Sequence, residues 1–172
     1  MILLPPYISA RSLSEALAAS QAIRACEDDT IRCDASAVRH VDPVGLCLVS
    51  WTLRDCLQYG QRVEFVGLNP QVETYLQRMN VYSAAGIEQC ERFRRHDQRQ
   101  ALCEVHRLTG HDDADACAEQ LARAVVGQIP DIDGDLPPDE MTGAAPGDLA
   151  VNVISYVLSE VLLNSLTHGR RN

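Results

Sequence analysis

The stretch from Asp148 to Gly169 constrains this chain more than any other. It runs from Leu149 to His168 without a proline or glycine, and Asp148 can cap its start. These residues predict one long helix that ends at Gly169. Its apolar residues go almost all the way round, the pattern of a helix buried in a core. Glu160, Asn164 and His168 interrupt them at a spacing of about one helical turn, so the three share a face. A carboxylate, an amide and an imidazole in apolar surroundings are costly unless something uses them.

The run Glu160-Val-Leu-Leu-Asn164-Ser-Leu-Thr-His168-Gly169 resembles the N box of the histidine-kinase-like (GHKL) ATPases, E-x-x-x-N-x-x-x-H-G. Its His-Gly ending is most similar to the anti-sigma-factor kinase branch. The resemblance implies a catalytic role for Glu160, which would polarise the attacking group. It also implies that Asn164 holds Mg²⁺ on the ATP phosphates, with His168 and Gly169 at the cofactor site. The residue types suit those roles, since a carboxylate accepts a proton and an amide oxygen is a hard ligand. Read without the resemblance, the same stretch is a core helix with satisfied polar groups, or a dimer helix. The family also carries a downstream Asp-x-Gly-x-Gly loop and a glycine-rich lid. Neither follows the N box within the 172 residues, so the resemblance implies ATP and Mg²⁺ with a site incomplete in this chain.

Charge narrows the partners. The formal net charge is −9, and phosphate backbones are bound by clustered Lys and Arg, so nucleic acid is not expected. Every basic residue is an arginine, which excludes a lysine-based phosphate loop in these residues. With 46% hydrophobic and 23% charged residues, a packed core is expected rather than disorder. The seven cysteines, Cys26, Cys33, Cys47, Cys56, Cys90, Cys103 and Cys117, form no C-x-x-C pair and read as reduced thiols. The start has no basic region followed by an apolar run, as a signal peptide would, and Asn152, Glu160 and Asn164 oppose a membrane-spanning final helix. A soluble cytoplasmic protein is the expectation.

The first half alternates strands and helices. Met1–Tyr7 suggests an edge strand closed by Pro5 and Pro6. Ser12-Leu-Ser-Glu15 has the form of a capping box before a helix with Leu13, Ala16, Leu17, Ser20 and Ile23 on its inner face. A strand is predicted over 31–38. A helix is predicted over 46–59, with Leu46, Val49, Leu53 and Leu57 inward and Asp42 as its cap. A strand over 62–66 and a helix over 71–79 complete the unit.

Residues 1–88 resemble the STAS domain of bacterial anti-sigma-factor antagonists. The likeness is carried by Ile31–Val38, by Val41-Asp42-Pro43-Val44-Gly45-Leu46, and by Val66-Gly-Leu-Asn-Pro70-Gln-Val72 with Leu76. It implies a docking loop at Asp42, Pro43, Val44 and Gly45, and a protein partner of the anti-sigma or sigma type. In the family the loop reads Asp-Ser-Ser/Thr-Gly, and its second hydroxyl is phosphorylated. Here that position is Val44, so docking carries over from the resemblance and the phosphorylation switch does not.

Residues 84–97, with Arg92, Arg94 and Arg95, read as a solvated linker. Beyond it a strand over 99–108 and a helix over 112–129 are predicted, the latter with Ala116, Leu121, Val125 and Ile129 among its apolar positions. Residues 130–146 are Pro-, Gly- and Asp-rich, an exposed loop. Asp131, Asp133 and Asp135 suggest a calcium loop, but the glycine comes too early and the twelfth position lacks a glutamate. His40, His96, His106 and His111 show no ligand spacing.

The expected architecture is therefore α/β. A STAS-like sheet with helices packed on it (1–88) is followed by a partial α/β sandwich of the histidine-kinase-like ATPase type (89–172). The expected role is bacterial signalling by partner switching. An ATP-dependent kinase completed beyond residue 172, or a non-catalytic dimerisation fragment forming a homodimer, are the alternatives.

Overall fold

The structure, a computed structural model, describes residues 1–89, 103–132 and 137–168. It is a mixed α/β protein, 56% helical with small parallel sheets. The chain divides into two compact units, Met1–Arg95 and His96–Asn172.

In the first unit, β1 (Ile2–Leu3), β3 (Thr30–Asp34) and β5 (Arg62–Val66) form a parallel sheet in the order β1-β3-β5. A parallel pair of β2 (Tyr7–Ile8) and β4 (His40–Val41) lies apart from it. The single opening strand predicted over Met1–Tyr7 is thus two short ones. Pro5 and Pro6 have no N–H to give a ladder, and the chain leaves β3 there to pair with β4. The Pro6 carbonyl instead accepts from the Arg39 N–H at 2.9 Å.

Alternation along β3 sends Ile31 and Cys33 inward, both almost fully buried, while Arg32 faces out. Arg32 sits in register with Glu64 of β5, and its Nε lies 3.3 Å from the Glu64 carboxylate. Both side chains are more than half exposed, so this pair adds little stability.

Helix α1 (Leu13–Arg24) buries Ala16, Ser20 and Ile23. The capping box does not form: Ser12 makes no side-chain cap bond to the helix, and its hydroxyl donates to the Tyr7 carbonyl at 2.7 Å. Ser9 takes over, accepting the Ser12 N–H across a 3₁₀ turn at Ala10–Ser12. Helix α2 (Pro43–Gln58) buries Leu46, Val49 and Leu53 as predicted, but Leu57 is exposed and Cys56 is buried in its place. Between α1 and α2, the buried Thr52 hydroxyl donates to the Leu48 carbonyl, so Ser20 is the donor in the 2.7 Å Ser20–Thr52 bond. Both buried hydroxyls are therefore satisfied.

Gly67, at φ +72°, turns the chain out of β5 towards α3 (Pro70–Arg78), whose first turn is capped by Asn69. Val72 and Leu76 of α3, Met79 at its C-cap, and Val81 and Tyr82 of α4 (Val81–Ala85) close the core. Burial pushes the Tyr82 phenol up to about 12.

The second unit contains α5 (His111–Val126) and α6 (Pro146–His168), packed against each other. Ala114, Ala118 and Ala122 recur every fourth residue and are fully buried, so α5 presents a small-residue face to its neighbour. Ala122 and Val126 meet Val151, with Ala150, Ile154 and Leu158 packed round them. The face predicted for this helix was a different one. Ala116, Val125 and Ile129 are exposed and Leu121 is half-buried, because alanines rather than the larger residues make the contact. Residues 103–108 form no strand, and the rest of the strand predicted over 99–108 lies outside the described residues.

Helix α6 begins two residues before the predicted cap. Pro146 opens it, as suits a residue without an N–H, and Asp148 lies in the first turn. The expectation of a buried helix is overturned. Only Gly147 and Val151 are buried, while Val153, Tyr156, Val157 and Val161 are each more than half exposed. α6 is long and apolar enough to cross a membrane, by length and composition only, and core helices of soluble proteins can share that length and composition. The packed α5 carries exposed Asp112, Asp115, Glu119 and Arg123.

Candidate functional site

Two sets of predicted residues lie in different units. The first is the Asp42–Gly45 loop, which forms the N-terminus of α2. Asp42 takes an extended backbone and caps the helix, with Pro43 in the first turn. Its two carboxylate oxygens do separate jobs. Oδ1 accepts the Gly45 N–H and Oδ2 accepts the Ala10 N–H, each at 2.8 Å. One side chain thus satisfies an open helix end and ties it to the segment before α1. The Gly45 and Ala10 hydrogen bonds, with the neighbouring Val44 amide and the charge of His40, hold the Asp42 carboxyl below its usual 3.8.

Gly45 explains itself by distance. A Cβ at this position would lie 1.9 Å from the Ile8 carbonyl oxygen and 3.0 Å from a Val41 methyl. Helix α2 therefore sits directly on β2 and β4, and only glycine permits the approach. Val44 faces outward, 44% exposed. Beside the loop, Arg39, His40, Asn69, Gln71 and Tyr75 line an open groove of about 390 Å³. Partial burial, and then the charge of Asp42, push the Tyr75 phenol up.

Asp42→Ala is expected to remove about 1 kcal/mol of stability, the usual loss of a helix cap. The pH dependence has a definite sign. Because the folded carboxyl titrates below 3.8, its contribution is present above that value and is lost as pH falls through the lower folded one. Urea unfolding at pH 7 and pH 3, followed by the fluorescence of Trp51, checks this. Asp42→Asn should make the acid-side loss shallower, and an unchanged slope would remove Asp42 as its source.

The second set is on α6. Glu160, Asn164 and His168 are all exposed, on one face at one-turn spacing, and Gly169 lies outside the described residues. Their exposure removes the desolvation cost that made them conspicuous in the sequence. At that spacing Glu160 carries a carboxylate and Asn164 an amide, both open to solvent. Mg²⁺ is often held by one or two protein oxygens, with phosphates and waters completing the shell, and the Asn164 amide oxygen is a donor of that kind. Among the described residues, no group of three or more His, Cys, Asp or Glu could hold a metal ion alone.

Sequence reasoning missed two arrangements. His106 Nε2 lies 2.7 Å from Asp113 Oδ1, while Asp113 Oδ2 accepts the Thr109 N–H at 2.8 Å and its hydroxyl at 3.0 Å. These bonds, led by the one to His106, hold the Asp113 carboxyl below its ordinary range. They fasten the segment before α5 to its first turn. The placing of Asp113 there, four residues after Thr109, is the signal that could have shown the Thr109 contact. The second is the Arg24 guanidinium, 4.5 Å over the Trp51 ring while it pairs with Asp55. Nothing in the spacing marks that contact, because α1 and α2 meet only in three dimensions.

Cys26, Cys33, Cys47, Cys56, Cys103 and Cys117 are free thiols. Burial, with the nearby Cys56 and Cys26, pushes the Cys33 thiol up to about 11, so it is a core residue and a poor nucleophile. No protein-family model, curated protein or solved structure matches this chain.

Proposed function

We propose that this chain is a bacterial regulatory protein that works by partner switching. Its first unit is a STAS-like docking module, and its second belongs to an ATP-binding module of the anti-sigma-factor kinase type. The partner is a protein, an anti-sigma or sigma-type regulator, met in the cytoplasm. The observation that carries the reading is the Asp42–Gly45 turn. Asp42 caps α2, Gly45 presses the helix onto β2, and Val44 is left facing solvent at the position where the resemblance places a phosphorylated hydroxyl. A phosphate there would add roughly −1.5 to −2 charges to the helix N-terminus. Valine cannot carry one, so docking through this surface is not switched by phosphorylation at this position.

Binding to anti-sigma-factor kinases, measured by calorimetry, tests the docking half. Val44→Asp imitates part of the missing charge and should weaken binding by about tenfold, or 1.4 kcal/mol. Glu160→Ala should leave it unchanged. Equal affinity in the wild type and Val44→Asp would remove the loop as the contact.

In the second unit, ATP with Mg²⁺ is the proposed ligand. Bound there, the nucleotide would supply a phosphoryl group activated by its metal. Asn164 would hold the cation and Glu160 would accept a proton from the attacking group. Titration of the chain with ATP, with and without Mg²⁺, should show magnesium-dependent binding that Asn164→Ala abolishes. Binding that ignores Mg²⁺ or survives the substitution would take Asn164 out of the site.

A further inference from the structure

We draw no further inference here: the strongest candidate, the solvent-facing apolar stripe of α6 formed by Val153, Tyr156, Val157 and Val161 around Glu160 and Asn164, carries nothing, because nothing in the structure shows what covers it.

Discussion

Gly45→Ala is expected to destabilise the first unit by about 3 kcal/mol, the upper part of the usual range for overpacking. The sign is what makes the experiment decisive. At an unconstrained helix position, replacing glycine by alanine stabilises by about 1 kcal/mol, because alanine loses less backbone entropy. Here the added methyl would sit 1.9 Å from the Ile8 carbonyl oxygen. That obstacle is backbone, so relief requires α2 to move away from β2. Such a movement would disturb the neighbouring Asp42 bonds to the Gly45 and Ala10 N–H groups. Trp51 is the only tryptophan and lies on α2, so its fluorescence during urea unfolding reports on this unit without interference from the other. A stabilised Gly45→Ala protein would mean that α2 does not rest on β2 as described.

Leu46→Ala should cost about 3 kcal/mol, within the range for truncating a buried leucine. Leu46 is 1% exposed and is among the largest fully buried side chains. Its neighbour Val44, on the same helix, is 44% exposed and loses little when cut back. Val44→Ala should therefore change stability by no more than about 0.5 kcal/mol. The pair of substitutions separates a core role from a surface role within one turn of α2. The same unfolding assay reads both, and similar losses at the two positions would contradict the orientation of the helix.

Much of the first unit was legible because its signals are local. The strand at Arg62–Val66 has its predicted limits, and α2 and α3 start with the residues that make good helix openings, Asp42-Pro43 and Asn69-Pro70. A short polar side chain that can accept from its own helix, followed by a proline that has no N–H to lose, specifies a start without distant help. Where two local signals competed, sequence reading chose wrongly. Ser12 and Glu15 have capping-box spacing, yet Ser9 holds the turn and the Ser12 hydroxyl turns back to Tyr7. Both choices satisfy one hydroxyl and one amide, and the path of the chain between β2 and α1 selects between them.

The second unit was less legible because its packing depends on which neighbours are present. An apolar surface all round α6 predicted burial, but hydrophobicity states only what burial would gain, not whether a partner surface exists. Among the described residues α5 covers one side, leaving Tyr156 and Val161 outward with Glu160 and Asn164 between them. On α5 the alanines make the contact, since small side chains let two helices approach closely, while Val125 stays exposed.

By itself the sequence determined the alternation of strands and helices in the first unit, the cap at Asp42, the shared face of Glu160, Asn164 and His168, and the lack of a hydroxyl at Val44. Each follows from spacing along the chain or from the chemistry of one side chain. Only the tertiary structure decided that Gly45 is required by the Ile8 carbonyl, that Asp42 also ties down Ala10, that His106 joins Asp113, and that α6 is largely exposed. Those facts depend on atoms distant in sequence arriving within a few ångströms, or failing to arrive, and spacing along the chain does not carry that information.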